Sequence, residues 1–412
     1  MIVLFFLFLP FVHAQDDLIL NSIWHEINQQ LPIEKQKQYE NYLKLNDEVK
    51  TTEVTEEVEV KVEKKSVGAQ RVEEMKARVR DELKNKKALP VKEKGLESWA
   101  AKQEEFLRSH QKKIDTNLKT WQQKYETTLR KWSQAHEAFL KRLPEYKKAA
   151  FDIPIEKQTP VEIKKITRTL TQFIPKTYHL VNSAFTIPIK DQKRRATCSA
   201  FAGVRAIEIT LAQQNNQLDL SEQYFYWASK PNCRKNQCSE KGSWVGYGLD
   251  YSKEYALPTE SQCPYNQENL SGNETQIPMS LTCKTGEVLV VDYSHLETLD
   301  QAIVALDKNQ IIILGIKLKE NFYTTKGIVF QNAKNARDKG LDSHANGHAL
   351  ILEGYIKLPP ELNESEGKVC FLAANSWGEG WGKGGHACLS EKWLTQNRGK
   401  NPMVTVTKVR KK

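Results

Sequence analysis

The first 197 residues of this 412-residue chain contain no cysteine; all seven, at 198, 233, 238, 263, 283, 370 and 388, come later. That excludes a disulfide framework in the N-terminal half and concentrates any thiol chemistry in the C-terminal half. No two cysteines have the Cys-x-x-Cys spacing, which argues against the rival reading of a zinc site. Glycine is scarce between 15 and 150. Beyond residue 14 no run is apolar enough to span a bilayer as a helix, which takes about 20 residues.

What is present begins with Met1 to Ala14, almost wholly apolar and too short to span. It reads as the core of a secretory signal, residues 1–14, with Val12-His13-Ala14 as the cleavage site, although the usual positive n-region is missing. An uncleaved anchor is the alternative. The expected location is therefore secreted or periplasmic, where disulfides persist. With Cys198 free, six cysteines can form three bridges in fifteen ways. Cys370 and Cys388 flank a Gly/Trp-rich turn on two expected neighbouring strands, and this pair is expected to bond.

The length suggests two or three units. Residues 15–150 are expected to be a charged helical region. Ile23, Trp24, Ile27 and Leu31 mark a short helix that Pro32 interrupts. Residues 51–65 alternate valine with charge, as an edge strand or a linker. Residues 71–87 read as a charged helix. From 96 to 147 an apolar stripe recurs at steps of three or four or their sums: Trp99, Phe106, Ile114, Leu118, Trp121, Tyr125, Leu129, Trp132, His136, Phe139, Leu143 and Tyr146. That is an amphipathic helix needing a surface to cover its stripe. The overall charge of +10 hides an acidic stretch, 15–60, and a basic one, 61–150. Because the aromatics form the apolar stripe rather than interleaving with the basic residues, no nucleic-acid role is expected.

Pro154, Pro160 and Pro175 punctuate a linker over 151–180. From 181 to 412 the character changes. A helix is expected over 197–214, then buried strands at 288–291, 311–316, 349–352 and 371–374. The expected fold class is α+β.

Four residue types in order carry the chemistry. Cys198 sits where the 197–214 helix begins, so the helix dipole favours a thiolate. His348 can complete a thiolate–imidazolium pair, and Asn375 can accept from the second ring nitrogen. Gln192 can donate its amide to an oxyanion, with the Cys198 backbone N–H as second donor. No cofactor or metal is required.

In this setting the chain resembles the papain-like cysteine proteases, in a divergent, bacterial-type form. The matches are Gln192-x5-Cys198-Ser199-Ala200-Phe201, Ser221-Glu222-Gln223, Cys263-Pro264-Tyr265, His348-Ala349 and Asn375-Ser376-Trp377-Gly378-Glu379-Gly380-Trp381-Gly382. The resemblance implies a helical lobe carrying Cys198, a β-rich lobe carrying His348 and Asn375, and a cleft between them. It implies that Trp377 shields the His348–Asn375 hydrogen bond, that Trp377, Ala349 and Gly242 meet substrate, and that peptide bonds are cleaved through a thioester.

Two departures stand out: Arg195 and Ser199 occupy places where the family usually has cysteine and tryptophan. Arg194, Arg195, Lys190 and Lys193 either form a solvated basic turn or line the cleft, the first being favoured. The 27-residue step from His348 to Asn375 is long for the family and accommodates a loop over 357–367. Expected partners are protein or peptide substrates. For 15–175 three readings stay open: an inhibitory propeptide, slightly favoured, a partner-binding domain, or a self-associating coiled-coil arm. The alternative functions are a silent relative acting through that arm, and Cys–His chemistry on another acyl group.

Overall fold

The computed structural model describes residues 13–40, 42–44, 120, 123–144, 146, 177–234, 239, 241–268, 283, 286–331 and 347–412. The apolar leader up to residue 12, the valine alternation at 51–65, the 71–87 helix, the stripe from Trp99 to Trp121 and the linker up to 176 lie outside the described residues. The chain divides into two compact units, Met1–Val49 with Leu129–Lys412, and Lys50–Thr128. In the second, residues 123–128 are helical.

In the first unit α1 (His13–Asn28) and α2 (Ile33–Gln36) flank Pro32. Helix α3 covers 129–144 of this unit, and Tyr146 just beyond is helical as well and is counted with it. The edge strand β1 (Tyr178–Leu180) lies at the end of the stretch read as a linker. The helical lobe follows: α4 (Cys198–Ala212), α5 (Glu222–Ala228) and α6 (Val245–Glu254). Then come β2 (Val288–Leu296), α7 (Leu299–Asp307), β3 (Ile312–Lys317), α8 (Glu320–Tyr323), β4 (Ile328–Val329), β5 (Gly347–Lys357), β6 (Val369–Ala374), β7 (His386–Ser390), α9 (Glu391–Asn397) and β8 (Met403–Lys411).

Helix α4 is apolar nearly all round, and such a helix must be buried. Val204, Ala206, Ile207, Ile209 and Leu211 are fully enclosed. It packs between α5 and α6 on one side and β3, β5 and β8 on the other. The sheet order is β2-β8-β3-β5-β6-β7-β4, with β1 on β5. Only β4 with β7 pairs in parallel among the described strands. Strand β5 is central and buried along nearly its whole length, which explains its continuous apolar run rather than an alternating one. Cys370 and Cys388 form the expected disulfide between β6 and β7. Cys263 pairs with Cys283, a choice the spacing alone left open. Cys233 is disulfide-bonded too.

The lobes are tied by a buried ion pair. Arg205 of α4 reaches Glu353 of β5 at 2.8 Å and the carbonyls of Ala184, Ile187 and Pro188. Burial opposes charge on Glu353, but Arg205 and His386 outweigh it and hold the carboxyl below its ordinary range. Helix α1 packs on β4 and β7, burying Ile19, Ile23 and Ile27 completely. Glu26 pairs with Lys383 at 2.7 Å.

Candidate active site

Cys198 opens α4, directly after the N-cap residue Thr197. It is half-buried and is the one free cysteine among the described residues. Burial pushes its thiol up, while the backbone N–H groups of Ala349, Ser199 and Cys198 itself pull it down. The sulfur therefore lies against Ala349, the residue after His348.

His348 stands at the start of β5, opposite Ile316 of β3. Asn375 follows the last residue of β6. Adjacent antiparallel strands thus bring together two side chains 27 residues apart: His348 Nε2 donates to Asn375 Oδ1 at 2.7 Å. A carboxamide oxygen can only accept, so Nε2 carries the proton and Nδ1 of the neutral ring is left as a base. The Ser376 N–H also donates to Asn375 Oδ1, at 2.8 Å, and fixes the amide. The Trp377 ring lies 4.7 Å from the imidazole and Phe322 of α8 lies 6.0 Å away, so the hydrogen bond is walled from water.

Burial pushes His348 down to about 4, with the Asn375 bond partly opposing it. Taken singly, each group is therefore favoured neutral. The ion pair expected from the sequence requires both charges to form together, each offsetting the other's desolvation.

Gln192 is 3 % exposed. Its Nε2 donates to Arg195 O at 2.9 Å and its Oε1 accepts from Ser376 Oγ at 2.6 Å. One of the two amide N–H groups is thus used in holding the side chain, and the second is left for an oxyanion. Ala349 lines a largely apolar groove with Ser199, Trp244, Ile313, Leu314 and Val404. Gly242 lies just before that wall, at φ +74° with nothing near its Cα hydrogens. Only glycine holds that backbone turn without strain, and it leaves the main chain open to a ligand.

The basic cluster behaves differently from either expectation at Arg195. That side chain is buried, donating to Gln223 Oε1 at 2.7 Å and Asn266 O at 2.6 Å, with its guanidinium over Tyr226 and Tyr265. It joins the loop before Cys198 to α5, so it neither faces solvent nor lines the cleft. Lys190 is enclosed by Glu208, Glu222 and Asp219 at 3.0, 2.7 and 2.6 Å. Burial raises Glu222, with the Lys190 charge opposing it. Ser199, in the family's tryptophan position, is buried and bonds Ser243 Oγ at 2.5 Å.

Helix α3 was the element whose partner periodicity could not name. Its stripe residues Trp132, Phe139, Leu143 and Tyr146 are buried. Phe139 stacks on Trp377 at 6.0 Å, and Tyr146 packs against it at a tilt, 5.5 Å away. His136 Nδ1 donates to Gly380 O at 2.8 Å. Gly380 must be glycine here, because a Cβ would sit 2.4 Å from the Ala135 carbonyl oxygen. Tyr146 OH donates to the Asp191 carboxylate at 3.0 Å, and Arg142 donates to Tyr146 OH at 2.7 Å and to Asp191 at 3.4 Å. Asp191, which precedes the oxyanion candidate Gln192, was missed from the sequence. Nothing in its local string marks it.

Comparison with known proteins gives the family. Residues 174–404 match the model of the papain family cysteine proteases. Digestive cysteine proteinase 3 of Homarus americanus is 28 % identical over 50 % of this chain and 59 % of its own length. Cathepsin L2 of Homo sapiens is 25 % identical over 53 % of this chain and 61 % of its own. The chain thus spans about three-fifths of the length of these curated relatives. Among solved structures, xylellain, a cysteine protease from Xylella fastidiosa, is 17 % identical with a TM-score of 0.48, covering 63 % of this chain and 97 % of its own. Procathepsin L 3 of the Tenebrio molitor larval midgut is 18 % identical with a TM-score of 0.44, covering 65 % and 79 %. By the family match and by its own helix-and-sheet architecture, this chain belongs to the papain family of cysteine proteases.

Proposed function

We propose that this chain is an exported cysteine endopeptidase, with Cys198 as nucleophile, His348 as general base and acid, Asn375 as the group that orients His348, and Gln192 as oxyanion donor. The observation that carries the reading is the pairing of His348 with Asn375 at 2.7 Å next to Ala349, whose N–H meets the Cys198 thiol. As Cys198 Sγ attacks a peptide carbonyl, its proton passes to His348 Nδ1. Negative charge grows on the carbonyl oxygen, between the free N–H of Gln192 and the Cys198 backbone N–H. Collapse breaks the C–N bond, His348 protonates the departing amine, and a thioester remains on Cys198. Water then attacks the thioester with His348 again as base, releasing the acid and the thiol. The side chain before the scissile carbonyl's own residue would enter the groove beside Ala349 and Trp244, whose lining favours apolar groups.

We also read α3 as an inhibitory cover, with 1–14 as a signal peptide and 15–150 as a removable region. Packing of Phe139 and Tyr146 against Trp377 supports the inhibitory reading over a partner-binding or self-associating arm, because this part of the stripe is already occupied within the chain. The bonded cysteines Cys263, Cys283, Cys370 and Cys388 support export. Casein hydrolysis by the processed chain tests the residue assignment. Activity abolished in Cys198→Ala supports it, and a Cys198→Ala chain that still cleaves would defeat it.

A further inference from the structure

On the leaving-group side of the site, we propose that Asp191 and Trp377 form a specificity subsite that selects a basic or phenolic side chain in the substrate. The inference rests on the peptidase reading above. His348 protonates the departing amine, so the leaving segment must pass on the His348 side of Cys198. The Trp377 ring is the wall on that side, 4.7 Å from the imidazole. Asp191 forms an isolated antiparallel β-bridge with Trp377, which pairs the two backbones, and the Asp191 Oδ2 lies 3.4 Å from where a Cβ on the next residue, Gly378, would sit.

The chain itself shows which chemistry fits there. Tyr146 places its ring on Trp377 at 5.5 Å and its hydroxyl on both Asp191 oxygens, at 3.1 and 3.0 Å. Arg142, one helical turn earlier, brings a guanidinium to 3.4 Å from the same carboxylate. A phenol ring against the indole and two donors, a hydroxyl and a guanidinium, on the carboxylate thus meet at one place, with the guanidinium over the Tyr146 ring. The site is held ready by its own loop. The Lys193 N–H donates to Asp191 Oδ1 at 2.8 Å and Lys193 Nζ to Oδ2 at 2.9 Å. A carboxylate has about four lone-pair positions, so these two bonds leave room for a substrate donor once α3 has moved. An acidic side chain would bring a second negative charge against Asp191 and could bond there only by drawing Lys193 Nζ away from it.

The test uses the full chain carrying Phe139→Ala and Tyr146→Ala, which clears the indole. Peptides identical up to the scissile bond carry Arg, Tyr, Leu or Glu at the first or second position beyond it. Arg should exceed Glu by about tenfold in kcat/KM, the size of one charge-assisted hydrogen bond, with most of the difference in KM. Tyr should exceed Leu. Asp191→Asn in the same background should flatten the Arg advantage, and Asp191→Lys should invert the Arg to Glu order. Equal rates across the series with Asp191 intact would overturn the subsite and leave the peptidase reading standing. No cleavage of any peptide, together with no thiol-probe adduct on Cys198, would remove both.

Discussion

Arg195 stands where the resembling proteins place a half-cystine, and the structure shows how one residue does a different bond's work. Its guanidinium lies between two tyrosine rings and donates to α5 and to the 266 carbonyl, so the loop leading to Cys198 is tethered without a disulfide. Arg195→Ala should lower unfolding free energy by about 2–4 kcal/mol, because Gln223 Oε1 and Asn266 O lose a charged donor and the rings lose their filling. Chemical denaturation in a Cys198→Ala background measures this. His348 gives a pH prediction with a definite sign. Burial sets its folded pKa at about 4, below the ordinary 6.5. As pH falls through 6.5 the unfolded chain binds a proton that the folded chain refuses. This contribution to stability is therefore present above 6.5, lost progressively down to about 4, and amounts to roughly 3 kcal/mol. Denaturation midpoints across that window should fall less steeply in His348→Gln. At this scale the proposed catalytic set could be read from the sequence, since Gln192, Cys198, His348 and Asn375 are rare in that order, and the structure pairs His348 with Asn375. Arg195 was misread because charge near a nucleophile does not reveal burial, which depends on tyrosines 31 and 70 residues away.

The elements were legible in proportion to their local patterning. Helix α4 and strands β2, β3, β5 and β6 announced themselves as apolar runs, and α3 through its stripe. Periodicity names a buried face, however, and never the surface that buries it. Trp377 as the partner of α3 is set by tertiary contacts that no local pattern in either segment encodes. Removing both α3 rings, Phe139→Ala with Tyr146→Ala, should uncover the indole. The rate at which a thiol-directed peptide probe reacts with Cys198 should then rise by at least about tenfold, the loss of two buried aromatic contacts being several kcal/mol. An unchanged rate would mean that α3 does not restrict the site.

At the level of the whole molecule, two lobes of different composition meet where α4 packs on β3, β5 and β8. The α+β class was legible from the shift after residue 181. The junction of the lobes was not, because Arg205 and Glu353 lie 148 residues apart and neither belongs to a motif. Arg205→Met should be strongly destabilising, by about 3–5 kcal/mol, since it leaves Glu353 charged and enclosed beside His386 alone. The double change Arg205→Met with Glu353→Leu should recover most of that loss, which a double-mutant cycle would show.

The lobes matter because they carry the two halves of the proposed chemistry to one place: the thiol on α4, and the base with its orienting amide on β5 and after β6. The most direct test is to treat the folded chain bearing Phe139→Ala and Tyr146→Ala with an epoxysuccinyl peptide probe and locate the adduct by peptide mapping. The account predicts one adduct, on Cys198, abolished in His348→Ala. A folded sample that carries no adduct on Cys198, or labels equally without His348, would contradict it.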